Sequence, residues 1–236
     1  MLRIIVSLAA LILSMSAEAF NVDKMIIISD DKENGIVTLF NDEPHSLFVQ
    51  AQVDEIQIVD GSRIERTPYT RKNLNDWKVT MTHQKLVLKP GEEKDVGIRS
   101  LCKTTNCERS EDLMFLLSFS PAKYREAGEE LDGVEINYGF APVYIIPTVI
   151  PKYDYQLFNN GNSLRIENNS NTMIKVFVDT CNDENTNGCK KKFTVFAGQY
   201  KTFTLTDSMQ SNELNVTVTS HDNSYSKKEK VVRGKI

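Results

Sequence analysis

GVEINYGFAPVYIIPTVIP, residues Gly133–Pro151, decides how this chain is read. Val, Ile, Tyr and Phe alternate in its first half and give way to a continuous apolar run, the pattern of one long β-strand with a proline-marked exit. The stretch lies just past the middle of the 236 residues. Enough short strand-like runs precede it for one sandwich, and enough follow for a second, smaller one. Val134, Ile136, Tyr138 and Phe140 share one face, so the strand is expected to leave apolar side chains and a backbone edge free. Proteins usually blunt such edges because they recruit other strands, and an unblunted one points to strand addition to a partner.

Outward from that strand, both halves read as β-structure. LFVQAQVDEIQIV alternates Leu47, Val49, Ala51 and Val53 with Phe48, Gln50, Gln52 and Asp54, the period of a half-buried strand. Leu86–Leu88, a turn at Pro90 and Gly91, and Val96 and Ile98 continue the pattern, and Asp112–Phe119 is a further apolar run before Pro121. After Pro151 the strand signals restart around Asn160 and Gly161, at Met173–Val178, in FTVFAGQYKTFTL and in ELNVTVTS. Strands at short, regular spacing and no amphipathic helix of ordinary length predict an all-β protein of two immunoglobulin-like sandwiches in tandem, residues 20–150 and 151–236.

The first residues define the compartment. Arg3, the apolar run Ile4–Leu13 and the small-x-small site Ala17, Glu18, Ala19 predict a signal peptide over residues 1–19, cleaved before Phe20. Its apolar run is too short for a membrane anchor, and no later segment is long enough to span a bilayer. Export agrees with four cysteines, Cys102, Cys107, Cys181 and Cys189, an even count that favours disulfides. Three pairings are open. The local ones, Cys102 with Cys107 and Cys181 with Cys189, close short polar loops within each half and are preferred. Zinc is disfavoured because neither pair is C-x-x-C and no histidine lies nearby in sequence.

The chemistry of catalysis is not visible. His45, His83 and His221 are scattered, and there is no G-x-S-x-G elbow or glycine-rich phosphate loop, so no enzyme and no cofactor are predicted. A net charge of −4 argues against nucleic acid as a partner. The basic tail Lys227, Lys228, Lys230, Arg233 and Lys235 reads as a solvated terminus. Asp183–Gly188 matches the first half of a calcium loop, but the twelfth position is Thr194 rather than a bidentate Glu, so no metal is assigned. Asn168–Ser170 and Asn215–Thr217 match the glycosylation sequon, as Asn-rich turns often do.

This arrangement resembles the PapD-like periplasmic chaperones of the chaperone-usher pilus pathway, in their divergent, alternate branch. The segments that carry the resemblance are VTLFNDEPHSLFVQAQVDEI, with Asn41 and Gln50, then VTMTHQKLVLKPGEEKDVGIRSL, with Leu88, Pro90, Gly91 and Arg99, and NGNSLRIENNSNTMIKVFVDTC followed by FTVFAGQYKTFTL. It implies a periplasmic chaperone that binds pilus subunits by strand donation and delivers them to an outer-membrane usher, without a cofactor. It also implies that Val134, Ile136, Tyr138 and Phe140 form the donor strand. The Arg and Lys with which the family grips a subunit's C-terminal carboxylate align with Ile26 and Pro142 here, which leaves Lys24 as a substitute anchor. A self-capping dimer of the free protein stays open. The alternative from another class is a structural component of the pilus, such as an adhesin or minor subunit.

Overall fold

The half-buried alternation of Leu47, Val49, Ala51 and Val53 becomes the inner face of the longest strand, and the other strands assemble on either side of it. The computed structural model describes residues 19–102, 107–125, 136–181 and 186–234. The expected signal peptide lies outside them, except for Ala19. So do Val134 and the first part of the calcium-like stretch.

In the first half the strands are β1 (Phe20–Val22), β2 (Ile26–Ile28), β3 (Asn34–Asn41), β4 (Leu47–Val59), β5 (Arg63–Pro68), β6 (Val79–Met81), β7 (Lys85–Leu88), β8 (Glu93–Ser100), β9 (Leu113–Lys123) and β10 (Val143–Ile146). They form two packed sheets, β1-β3-β8-β6 and β2-β10-β9-β4-β5, with β7 also pairing to β4. The N-terminal stretch changes sheet. β1 is antiparallel to β3, whereas β2 runs parallel to β10 across the sandwich. The second half contains β11 (Tyr155–Asn159), β12 (Ser163–Asn168), β13 (Ile174–Asp179), β14 (Lys190–Val195), β15 (Tyr200–Thr204), β16 (Glu213–Thr219) and β17 (Ser226–Val232). Its sheets are β11-β12-β15 and β14-β13-β16-β17. The protein is thus all-β, two immunoglobulin-like sandwiches in tandem.

The continuous apolar runs have a specific cause. In β9, Leu113, Phe115, Leu117 and Phe119 face the core of the first sandwich. Met114 and Leu116 face the other way. In β10, Tyr144 and Ile146 join that core while Val143 and Ile145 turn from it. Ile56, Met114 and Ile145 lie opposite one another across β4, β9 and β10, and Met173 of the second sandwich covers the row. One sheet is therefore buried on both faces where the second sandwich sits on it, which requires apolar residues at successive positions rather than alternate ones.

Both local disulfides, Cys102–Cys107 and Cys181–Cys189, are formed. Three buried asparagines close strand ends in the same way, with the side-chain oxygen accepting the amide two residues on and the side-chain amide donating to backbone carbonyls. Asn41 pairs with the Glu43 amide, Asn159 with that of Gly161 and Asn168 with that of Ser170. Asn168 donates to the carbonyls of Thr172, Val195 and Phe196. The sequon that begins there is a buried corner.

One expectation is corrected. Among the described residues of the stretch, 136–151, regular strand structure occupies only Val143–Ile146, preceded by a single bridge at Phe140. The downstream apolar pair Val149 and Ile150 is exposed. The reason lies in the neighbouring strand, described next.

An open strand edge as the candidate functional site

The pairing of β10 with β9 sets Val143 opposite Leu116 and Ile146 opposite Leu113. The same register continues upstream without a bulge. The Leu117 amide donates to the Pro142 carbonyl at 2.9 Å, and Phe119 and Phe140 exchange both hydrogen bonds, at 2.7 and 3.1 Å. The next hydrogen-bonded pair would set Tyr138 against Pro121. Proline has no amide to donate, so the ladder stops at Phe140. Pro121 is tolerated inside β9 because its nitrogen faces an edge that the described residues leave uncovered, the place where a sheet admits proline. Gly139 marks the close approach, since a Cβ there would lie 2.5 Å from the Phe119 carbonyl oxygen.

Because Phe140 directs its amide and carbonyl at β9, its neighbours Gly139 and Ala141 direct theirs at the opposite edge. From Val143 onward that edge is covered by β2, beginning with the Val143 amide on the Met25 carbonyl at 2.9 Å. Upstream of Val143, no partner strand occupies it among the described residues.

The side chains follow the same division. Ile136 is 74% exposed and Tyr138 is 79% exposed, whereas Phe140 is half-buried against the core with its ring 6.0 Å from that of Phe20. Residues 136–142, INYGFAP, carry no formal charge. Other edges of the same molecule do. β5 carries Arg63, Glu65 and Arg66 and ends in Pro68, β14 opens with Lys190, Lys191 and Lys192, and β17 carries Lys227, Lys228 and Lys230. Lysines and proline are the usual guards of an exposed edge. Of the residues that read as a solvated tail, Lys227, Lys228 and Lys230 thus lie on an edge strand, β17, as its guards.

Lys24 stands just before β2, beside the point where the open edge begins. Its side chain is 44% exposed and its Nζ is 2.9 Å from Asp23 Oδ2. Burial acts to raise the Asp23 carboxyl, but hydrogen bonds from Lys24 and the Thr38 amide, with the Lys24 charge, hold it below the usual range. Ile26 and Val143 are paired across β2 and β10, so Pro142 and Lys24 approach the same end of that ladder. Among the described residues, no cluster of His, Cys, Asp and Glu is arranged to hold a metal ion.

Phe119 and Pro121 stood out in the sequence only as the end of an apolar run and the proline after it, not as the residues that decide where pairing ends. A proline inside an apolar run was the available signal.

Two-sandwich architecture of this kind is the fold of fimbrial chaperones. The class 5 fimbriae chaperone CfaA superposes with a TM-score of 0.52, 13% identity and coverage of 90% of this chain and 99% of that one. A chain of the Salmonella enterica SafA pilin–SafB chaperone complex gives 0.53, 13% identity and coverage of 93% and 98%. The E. coli chaperone DraB gives 0.52, 11% identity and coverage of 92% and 98%. Residues 22–147, more than half of the chain, match the family of the CS5 fimbrial protein N-terminal domain, and the chain belongs to that family. An E. coli relative, described as an uncharacterized 25.9 kDa protein in the CS5 3′ region, is 22% identical over 183 residues, covering 76% of this chain and 78% of that protein.

Proposed function

We propose that this protein is a periplasmic chaperone for fimbrial subunits, not an enzyme, and that it holds a subunit by donating the edge around residues 134–140 before delivery to an outer-membrane usher. The observation that carries this reading is the uncharged edge at Gly139–Ala141, uncovered among the described residues, with Ile136 and Tyr138 standing out from it. A subunit that resembles a sandwich lacking one strand offers unpaired backbone and apolar pockets. An extended donor supplies main-chain hydrogen bonds to the first and alternate side chains to the second. Each side chain fully buried in this way contributes about 1.5–3 kcal/mol. Val134, Ile136 and Tyr138 are the proposed inserting residues. Phe140, tied to β9 and to Phe20, serves as the rigid root of the donor.

Lys24 is the proposed anchor for the subunit's terminal carboxylate, which would compete with Asp23. Residues 1–19 are proposed to direct export and to be removed, leaving the two sandwiches over 20–150 and 151–236. The completeness of the first sandwich favours a donor over a pilus component that awaits a strand, since its own β10 lies between β9 and β2 with Tyr144 and Ile146 fully buried.

The test is co-expression with fimbrial subunits and recovery of the complex by pull-down, comparing wild type with Ile136→Asp. Recovery by the stable mutant at the wild-type level would refute donation at this face.

A further inference from the structure

The second sandwich carries a groove that the open donor edge does not use. On its sheet β14-β13-β16-β17 the register sets two rows across the strands: Lys192, Phe177, Thr217 and Lys228, then Lys190, Asp179, Asn215 and Lys230. These side chains point away from the core, because Val176, Val178, Phe193, Val216 and Val218 at the alternate positions are buried in it. Asn215 and Thr217 of β16 are short and lie between longer side chains on β13 and β17. The result is a groove of about 950 Å3 along β16, with Phe177 on one wall and Lys228 and Lys230 on the other. The two walls stand two strand spacings apart, about 9.5 Å. The charge along it is one-sided. Lys190 and Lys230 are paired, with Asp179 at 3.1 Å and with Glu213 at 2.6 Å. Lys192 and Lys228, on either side of the 36% exposed Phe177, have no carboxylate partner among the described residues. The side chains of Asn215 and Thr217 likewise have no hydrogen-bond partner there. Lys175, next along β13, donates to the His221 carbonyl, and burial and then the Lys192 charge hold it below the ordinary lysine value. Positive charge is thus crowded on this face. Residues 152–236 hold twelve Lys and Arg against nine Asp and Glu, whereas residues 20–151 hold fifteen against twenty-two.

We infer that this groove binds an extended acidic peptide segment of another protein. Successive side chains of an extended chain point to opposite sides, so a segment that alternates acidic and apolar residues turns its carboxylates to Lys228 and its apolar side chains to Phe177. Its backbone then lies over Asn215 and Thr217, whose carboxamide and hydroxyl offer both donors and acceptors to the peptide groups. Lys192, beside Phe177 on β14, adds to the attraction from the other side. Edge protection accounts for lysines on β14 and β17, but it leaves the exposed aromatic ring between them and the open polar floor without a part. A flat lipid surface fits less well, because the longer lysines flanking Phe177 would hold its ring off the bilayer. The groove is separate from the donor edge, and the inference does not depend on strand donation.

The test uses the full mature chain and a fluorescent peptide of Glu-Leu repeats, matched in length to β16 and blocked at both ends, followed by anisotropy at low salt. Saturable binding is expected, and added salt should weaken it because the pairing charges are exposed. Lys228→Glu and Lys192→Glu should each weaken it by about tenfold, since each sets like charges against one another. Both lysines are exposed, so the variants should melt as wild type does, and either one gives the reading if the other fails to fold. Phe177→Thr should weaken binding as well. No binding by wild type overturns the inference, as does binding that neither charge reversal diminishes or equal binding of a Lys-Leu peptide. Vesicles of phosphatidylglycerol and phosphatidylcholine form a separate arm. Vesicle binding that Lys228→Glu abolishes, without any binding of the Glu-Leu peptide, would assign the face to lipid and overturn the inference. Ile136→Asp should bind the peptide as wild type does. Loss of binding there would place the peptide at the donor edge and overturn the groove, whereas undiminished subunit capture by Ile136→Asp counts against strand donation alone.

Discussion

Phe119 and Phe140 are joined by two backbone hydrogen bonds, and among the described residues they are the last such pair between β9 and the segment leading to β10. Downstream, the chain is an interior strand sealed on both edges. Upstream, Pro121 removes the next donor and the side chains of Ile136 and Tyr138 stand in solvent.

Two isoleucines nine positions apart should therefore behave oppositely. Ile136→Asp changes an exposed position, so its thermal unfolding should stay within about 0.5 kcal/mol of wild type while subunit capture is lost, because a carboxylate would enter an apolar pocket without a partner. Ile145 is fully buried between the sandwiches. Ile145→Ala should cost about 2–5 kcal/mol in a denaturant titration. Equal effects on stability at the two positions would contradict the division of the segment at Phe140.

Gly139→Ala tests the root of the donor. The new Cβ would lie 2.5 Å from the Phe119 carbonyl oxygen, a backbone atom that cannot swing aside. The segment should lift from β9, at a cost of about 1–3 kcal/mol typical of overpacking. Hydrogen exchange of the Phe119 and Phe140 amides should accelerate markedly. Unchanged protection would show that the edge is not held as described.

Lys24→Ala separates anchoring from folding. The Lys24–Asp23 pair is largely exposed, and pairs of that kind contribute about 0–1 kcal/mol. Melting should barely move, whereas capture of a subunit with a free C-terminal carboxylate should weaken relative to one whose C-terminus is amidated. Equal capture of the two by wild type would remove Lys24 from the anchor role.

Asp112 should also leave a signature in pH. Burial, the largest influence, raises its carboxyl above the ordinary value although the Thr148 and Met173 amides and the Thr172 hydroxyl act to lower it. The charge on His221 acts in the same lowering direction, and Glu108, Glu111 and the Lys78–Glu55 pair line the adjoining groove. The native state thus holds this proton more tightly than the unfolded chain does. The stability linked to Asp112 is fully present below the unfolded carboxylate value and is lost as pH rises through the raised native one. The stability difference between wild type and Asp112→Asn, followed by denaturant titration from acid to neutral pH, should move against wild type as pH rises across that window. A difference that is flat or moves the other way would contradict the raised value.

Much of this protein was legible in the order of its residues because the relevant physics is local. Alternating Leu47, Val49, Ala51 and Val53 specify a half-buried strand whatever surrounds them, and Pro90 with Gly91 specifies a turn. Cysteines five and eight residues apart can meet within their own loops, as Cys102 with Cys107 and Cys181 with Cys189 do. The exposure of Ile136 and Tyr138 followed from the same alternation. Where their strand ends did not, because Phe140 is stopped by a proline that approaches only across the sheet from β9. Nor did the continuous run through Val143, Tyr144, Ile145 and Ile146 say which residue faces which core. Tyr144 and Ile146 fill the first sandwich, and Ile145 meets Met173 from the second. Asp112 was read only as the start of an apolar run, since nothing in a single acidic residue records that three donors distant in sequence will converge on it. Periodicity encodes the faces of an element, whereas the ends of a ladder and the meeting of two sandwiches depend on atoms brought together only when the chain has folded.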